Sequence, residues 1–312
     1  MSFAFETVLP IFLLIAVGWT LAATGLLAHT VGEGLAAFAA TVGIPLLLFE
    51  TVVYADLGAT SPWMVWLCYF PAAGCAWALG QTLARRVFGL DRRTAVLAGM
   101  GATFANIAFV GLPLLHRAFG EQGVLVATVV VSVHLPIWMT TLTLAMMRAE
   151  GGGGGSAIEA TLRVIGALRR NPIIIGLGSG IVLRFVGYRP SGIPAHTIHT
   201  LAGVASPVAL VSLGMAMYGQ NFRGDAPAAL AISAVKLVAL PAFVAIACRI
   251  LDPDPAVVGP LVMLAGVPTG INVFLAAGQY GVGLRLASSV VTATTALGAV
   301  TSMLWLIWLA PH

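Results

Sequence analysis

Apolar residues run along this chain in long blocks rather than in alternation. Ten blocks stand out, at about 7–28, 34–55, 62–84, 94–115, 121–147, 171–189, 197–218, 227–250, 256–280 and 284–309. About 20 apolar helical residues cross a hydrocarbon core roughly 30 Å thick. Barrel strands would instead give short segments alternating in and out. The pattern predicts an all-α polytopic membrane protein of ten transmembrane helices, with the lipid bilayer as its surroundings.

Two blocks are interrupted. "AGVPTGINVFLAAGQYG" (265–281) sets proline, glycines and an asparagine inside the ninth span, and "ATFANIAFVGLPLL" (102–115) does the like in the fourth. Proline removes a backbone donor and clashes with the preceding turn, and glycine lets the chain leave helical geometry. Unpaired backbone groups survive at membrane depth only against protein or a watered cavity. The breaks therefore predict a polar cavity near the midplane with half-helix ends aimed into it. Helix amino termini suit a carboxylate, and Asn106 and Asn272 add uncharged donors. Either break alone reads more simply as a packing kink. Breaks in matching spans of a repeat argue for a site.

Such a repeat is present in the sequence. An offset of 162 lays Pro10 on Pro172, Gly18 on Gly180, Gly25 on Gly187 and Pro45 on Pro207. An offset of 161 lays Phe119-Gly120 on Tyr280-Gly281. Five spans per half is an odd number, so the second half enters the membrane inverted, as in many secondary transporters. The expected organisation is a first five-helix repeat at 1–147, a cytoplasmic linker at 148–170 and an inverted repeat at 171–312.

Composition agrees. Only 8% of residues are charged and the mean hydropathy is +1.00, against about 25% charged in soluble domains. Of 15 cations all but Lys236 are arginine, mostly in loops. Placing the amino terminus outside puts ten arginines in cytoplasmic loops and four outside. The positive-inside rule then predicts a cytoplasmic-membrane protein with both termini on the non-cytoplasmic face, and no nucleic-acid partner is implied. Glu6 directly before the apolar run argues against a cleavable signal. Gly151–Gly155 reads as a flexible linker, and "AIEATLRVIGALRR" after it as an amphipathic surface helix. Cys68, Cys75 and Cys248 lack metal-ligand spacing and read as small buried side chains. No metal or cofactor is called for.

Ionisable groups inside spans are expensive and point to function. Lys236 sits mid-span in helix eight. It could compensate the carbonyl ends of a broken helix, fill the place of a sodium ion, help hold an anion, or snorkel. Glu50, near the outer end of its span, could mark a cavity rim, handle substrate or protons, or pair with a cation. His134 in "VSVHLPIW" reads first as a buried neutral ring with a backbone partner, and otherwise as pocket lining or a proton carrier. Thr140, Thr141 and Thr143, with Thr292, Thr294 and Thr295, are expected to hydrogen-bond between helices. "GLGSG" (176–180) lacks the first glycine of a rhomboid G-x-S-G and reads as close helix packing. No H-E-x-x-H, Walker loop or paired membrane aspartates occur, so an enzyme and a sodium/proton antiporter are both disfavoured.

"PTGINVFLAAGQY" (268–280) and "NIAFVGLPLL" (106–115) resemble the crossover motifs of the auxin efflux carrier family, which includes plant PIN proteins and bacterial carriers. "RRNPIIIGLGSG" (169–180) and "KLVALP" (236–241) resemble its bacterial members. The resemblance implies a ten-helix inverted 5+5 repeat like that of sodium/bile-acid and sodium/proton carriers, with crossover helices 4 and 9. It implies a scaffold of spans 1, 2, 6 and 7 and a moving unit of spans 3–5 and 8–10. The family's crossover asparagine matches Asn106 and its span-nine proline matches Pro268. Plant carriers have a proline where Ala105 stands, which leaves the span-four break anywhere from there to Gly111 and Pro113.

The expected function is secondary transport of small organic anions, auxin or dicarboxylates in the family, by elevator-type alternating access, as efflux or uniport. The expected substrate site comprises Asn106, Gly111, Pro113, Pro268, Thr269, Gly270 and Asn272, with His134 and Glu50, and Lys236 at the crossover. A proton- or sodium-coupled dicarboxylate symporter and an anion-binding membrane receptor stay open, as does a homodimer.

Overall fold

A computed structural model describes residues 2–54, 61–150, 166, 169–218 and 226–309. The glycine run, most of the following amphipathic segment, and Arg163 and Arg223 lie outside the described residues.

Among the described residues all regular structure is helical. α1 is Ser2–Ala23. α2 (His29–Phe38) continues through a π-helical turn, Ala39–Gly43, into α3 (Ile44–Tyr54). α4 is Pro62–Arg86 and α5 is Arg92–Gly101. A π turn, Ile107–Gly111, leads into α6 (Leu112–Ala149). α6 is two helical arms, because Gly120 leaves helical geometry at φ 59° and ψ −145°. α7 is Pro172–Phe185, α8 is Gly192–Gly203 and α9 is Ala205–Met217. α10 (Ala226–Ala234) passes through a π turn, Val235–Ala239, into α11 (Leu240–Leu251). α12 is Pro255–Ala265, α13 is Asn272–Tyr280 and α14 is Leu284–Leu309.

Among the described residues seven helical segments, some of them bent, are long and apolar enough to cross a membrane, so the protein is polytopic. α7 and α12 are shorter apolar helices. α7 is 14 residues long, where the sequence predicted a full span at 171–189, because Gly187, at φ 71°, turns the chain out of the helix, with its N–H on Arg184 O and that of Tyr188 on Leu183 O.

α1 packs on α9, α2 on α9, α3 on α7 and α8. α4, α5 and α6 pack together, and α10–α14 pack on one another and on α4 and α6. The helices of the first group approach at small residues. A Cβ on Gly18 would lie 2.0 Å from the Val211 carbonyl oxygen, and one on Gly180 would lie 3.0 Å from that of Phe49. The offset of 162 that lays Gly18 on Gly180 also lays Phe49 on Val211. "GLGSG" does serve close packing: a Cβ on Gly176 would meet the Pro45 carbonyl at 2.4 Å. Gly25 and Gly187, one offset apart, both have φ of 71°, a left-handed value that glycine reaches without strain.

Cys68 and Cys248 are buried, but Cys75 is exposed, contrary to the expectation for all three. Asp91 and Asp254 cap α5 and α12, each carboxylate accepting the N–H two residues on. The threonine expectation needs correcting. Thr141, Thr143, Thr294 and Thr295 give their hydroxyl protons to their own helix four residues back. That acceptor is always within reach of a helical Thr. Among the described residues two of them reach other elements, as acceptors: Thr294 takes the Thr269 N–H at 3.0 Å, from the break between α12 and α13, and Thr143 the Tyr280 hydroxyl of α13 at 3.4 Å.

Candidate functional site

Two helix breaks meet at the centre of the second bundle. α5 ends at Gly101 and helix resumes at Ile107; α12 ends at Ala265 and α13 begins at Asn272. The first break therefore falls at 102–106, and Gly111 and Pro113 lie beyond it, in the π turn and the first turn of α6. The two extended stretches cross and pair. Ala105 and Thr269 form an antiparallel bridge. Asn106 N–H donates to Pro268 O at 2.8 Å, and Gly270 N–H donates to Phe104 O at 2.9 Å. Each break thus satisfies backbone groups the other exposes, which answers the demand of a low-dielectric interior. Gly270 is needed there, since a Cβ would sit 3.0 Å from the Phe104 ring.

Both carboxyl-terminal half-helix ends are closed by side chains. The Thr269 hydroxyl donates to Gly101 O at 2.8 Å. Lys236, fully buried, donates from Nζ to Ala265 O at 2.5 Å. A cation at a helix carboxyl terminus faces the negative end of the dipole. This is the geometry that compensation of a broken helix requires, and among the described residues Lys236 pairs with no carboxylate.

The amino-terminal ends differ. Asn106, 7% exposed, caps its own helix: Oδ1 accepts the Phe109 N–H at 3.4 Å, and its carbonyl accepts from Val110 and Gly111. Asn272 opens α13 half-buried, with no side-chain hydrogen bond recorded among the described residues. Pro268 is fixed against α14, where a Cβ on Gly298 would lie 2.7 Å from its ring.

His134 reaches the crossover by ring packing. Its ring lies edge-on to Phe104 at 4.7 Å, beside Tyr69 and Trp138. Among the described residues Nε2 has no hydrogen-bond partner, so the backbone partner expected for this ring is not seen at that nitrogen. Glu50 is not at the crossover. It pairs with His199 Nδ1 at 2.9 Å across α3 and α8. The pair lines a cavity of about 660 Å³ between the two bundles, walled by Thr51, Leu112, His116 and Ser206. The π turn 107–111 that follows Asn106 packs against α9 near it. The His199 contribution was invisible in the sequence, since 149 residues separate it from Glu50.

Residues 3–306 match the family described as "Membrane transport protein". The chain belongs to this family, the auxin efflux carrier group. It is therefore a membrane transporter and not an enzyme. It is similar to a protein of Rhizobium meliloti named "Putative malonate transporter", 28% identical over 315 residues, covering 96% of this chain and 94% of that one. It is also similar to an "Uncharacterized transporter" of Methanothermobacter thermautotrophicus, 24% identical over 300 residues and 96% of each chain.

Proposed function

We propose that this transporter moves small organic carboxylates across the cytoplasmic membrane by alternating access. The observation that carries the reading is the asymmetry of the crossing. Both half-helix carboxyl ends are closed, by Thr269 and Lys236, while the Asn272 amide in the first turn of α13 has no hydrogen-bond partner among the described residues. A site built of helix amino termini and amide donors with its carbonyl ends neutralised suits an anion. The malonate in the name of the Rhizobium relative makes malonate the first substrate to try.

On this reading the chain has ten crossings in two inverted halves joined by the 148–170 linker. The reciprocal Gly18–Val211 and Gly180–Phe49 contacts support it, as do the paired caps Asp91 and Asp254. The bundle of α1–α3 and α7–α9 is the scaffold; α4–α6 and α10–α14 carry the crossing as a unit past it. The cavity between them, with Glu50 at its wall, is one substrate entrance. Efflux needs no coupling ion, because an anion leaving a negative interior gains about 2.3 kcal/mol per charge per 100 mV. The Glu50–His199 pair favours a second reading, proton-coupled symport, since a carboxylate and an imidazole face the same entrance.

Flux of labelled malonate and related mono- and dicarboxylates into proteoliposomes tests the proposal. Uptake abolished by Asn272→Ala is expected. Binding without flux would make the chain a receptor and end the transport reading. An imposed proton or sodium gradient that leaves flux unchanged would remove the symport reading.

A further inference from the structure

A second cavity, this one basic, lies away from the crossing, at the loop ends of α4, α5 and α6. Three helical stripes converge on it. α4 supplies Trp77, Gln81 and Arg85, spaced four apart; α5 supplies Arg92 and Val96; α6 supplies Leu144 and Arg148. Its volume is about 520 Å³. A smaller concavity of about 400 Å³ adjoins it, shares Gln81 and Arg85, and adds Arg86 and Thr82.

The charges here lack counter-ions among the described residues. The nearby acids are engaged elsewhere: Glu150 pairs with Arg93 at 3.0 Å, and Asp91 caps α5. Arg93 also donates to Tyr280 O, which ties it to the far end of α13. Arg85, Arg92 and Arg148 are left with no carboxylate partner among the described residues. Orientation in the membrane requires only that arginines stand on one side of it. It does not require three guanidinium groups to face one concavity, where they repel each other.

The remaining walls are preorganised and amphipathic. Trp77 stacks on Trp138 with ring centroids 5.5 Å apart and planes 7° from parallel. Its Nε1 donates to Gln81 Oε1 at 3.0 Å, which fixes the amide and leaves the Gln81 NH₂ as donor. Leu144 and Ala145 give an apolar flank, with Val96 buried behind them. All three arginines lie within two residues of a helix terminus, and the ends of membrane-crossing helices are where headgroups stand.

We propose that this cavity binds the phosphate of an anionic phospholipid headgroup, with the apolar flank taking the glycerol and the start of an acyl chain. Guanidinium forks match phosphate oxygens two at a time, and basic pockets between membrane helices are suited to anionic headgroups. The adjoining concavity with Arg86 has the charge for a second phosphate, so a diphosphatidyl lipid binds more tightly than a monophosphatidyl one.

The test is native mass spectrometry of the purified full chain with phosphatidylglycerol, phosphatidylcholine and cardiolipin of matched acyl chains. Wild-type protein retains the anionic lipids over phosphatidylcholine. Arg85→Gln, Arg92→Gln and Arg148→Gln each reduce retention roughly fivefold and the triple variant roughly a hundredfold. Arg249→Gln, at the other end of the helices, leaves it unchanged. If the triple variant misfolds, the Arg→Lys triple keeps the charge but loses the fork, and retention falls by an intermediate amount. Equal retention of phosphatidylcholine, or an unchanged triple variant, overturns the proposal. So does an equal loss with Arg249→Gln, which would mean bulk charge. Displacement of bound lipid by an equal concentration of soluble glycerol phosphate would assign the site to a free anion and overturn the lipid source. None of these readouts depends on transport.

Discussion

The two breaks at the crossing, 102–106 and 266–271, solve one problem in different ways. Each leaves a helix carboxyl end and a helix amino end inside the protein. In the first break the amino end is closed by the chain itself, because Asn106 folds its amide oxygen onto the Phe109 N–H. Its carboxyl end at Gly101 is closed by a hydroxyl from the other break. In the second break the carboxyl end takes a full cation, Lys236 from the π turn between α10 and α11. Its amino end is left to Asn272, with no recorded partner for the side chain among the described residues. In the first break both ends have hydrogen-bond partners. The second carries a cation at one end, and on the proposed reading its other end, at Asn272, takes the anion. The sequence motifs of the two looked alike, and the tertiary partners separate them.

Substitutions can break this contrast, taken here from the largest effect on stability to the smallest. Lys236→Met strands the Ala265 carbonyl without a donor. We expect lost flux and a stability about 1–3 kcal/mol below that of Lys236→Gln, which keeps a donor. Equal thermal midpoints for the two variants would show that the Nζ–carbonyl bond does not hold the second break. Thr269→Val keeps shape and removes the hydroxyl that closes Gly101. A loss of about 1–2 kcal/mol by denaturant titration is expected; a neutral outcome would mean the first carboxyl end finds another donor.

Asn106→Ala removes a cap and should lower stability by about 1 kcal/mol. Asn106→Asp keeps the acceptor, so it should restore the stability while a fixed negative charge abolishes anion flux. Asn272→Ala should change stability by less than about 0.5 kcal/mol and still reduce malonate flux at least tenfold. If Asn272→Ala destabilises as much as Asn106→Ala, the two breaks are equivalent and the contrast fails.

The smallest effect lies outside the membrane. Asp91 at the start of α5 has its carboxyl held below the ordinary 3.8, first by the Thr94 side chain and then by the Thr94 and Arg93 N–H groups. The folded state therefore favours the carboxylate. Its contribution is full above the ordinary carboxylate range and is lost as pH falls through the lowered value. Asp91→Asn should flatten the acid limb of the thermal-stability profile by a few tenths of a kcal/mol. An unchanged acid limb would place the acid sensitivity elsewhere.

The apolar blocks, the two interruptions and the close-packed GLGSG were legible because each is local. Lipid demands about 20 apolar residues per crossing, and proline with glycine ends a helix wherever it stands. The family was legible for the same reason, since its motifs are the breaks themselves. The threonines were read only in part: Thr143 and Thr294 accept bonds from other elements, but a hydroxyl one turn from its own carbonyl donates to that carbonyl rather than to a neighbouring helix. Glu50 was legible as an oddity in a span, but its imidazole partner was not.

The sequence by itself determined that this chain crosses a membrane many times and breaks two helices in the middle. It also placed one cation, Lys236, where no solvent could pay for it. Only the tertiary structure decided that 105 and 269 meet in an isolated antiparallel bridge, that Lys236 answers Ala265, and that Asn106 caps its own helix while Asn272 has no side-chain partner among the described residues. The reason is reach. A break declares that backbone groups need partners, but those partners lie up to 168 residues away, where no spacing rule along the chain can name them.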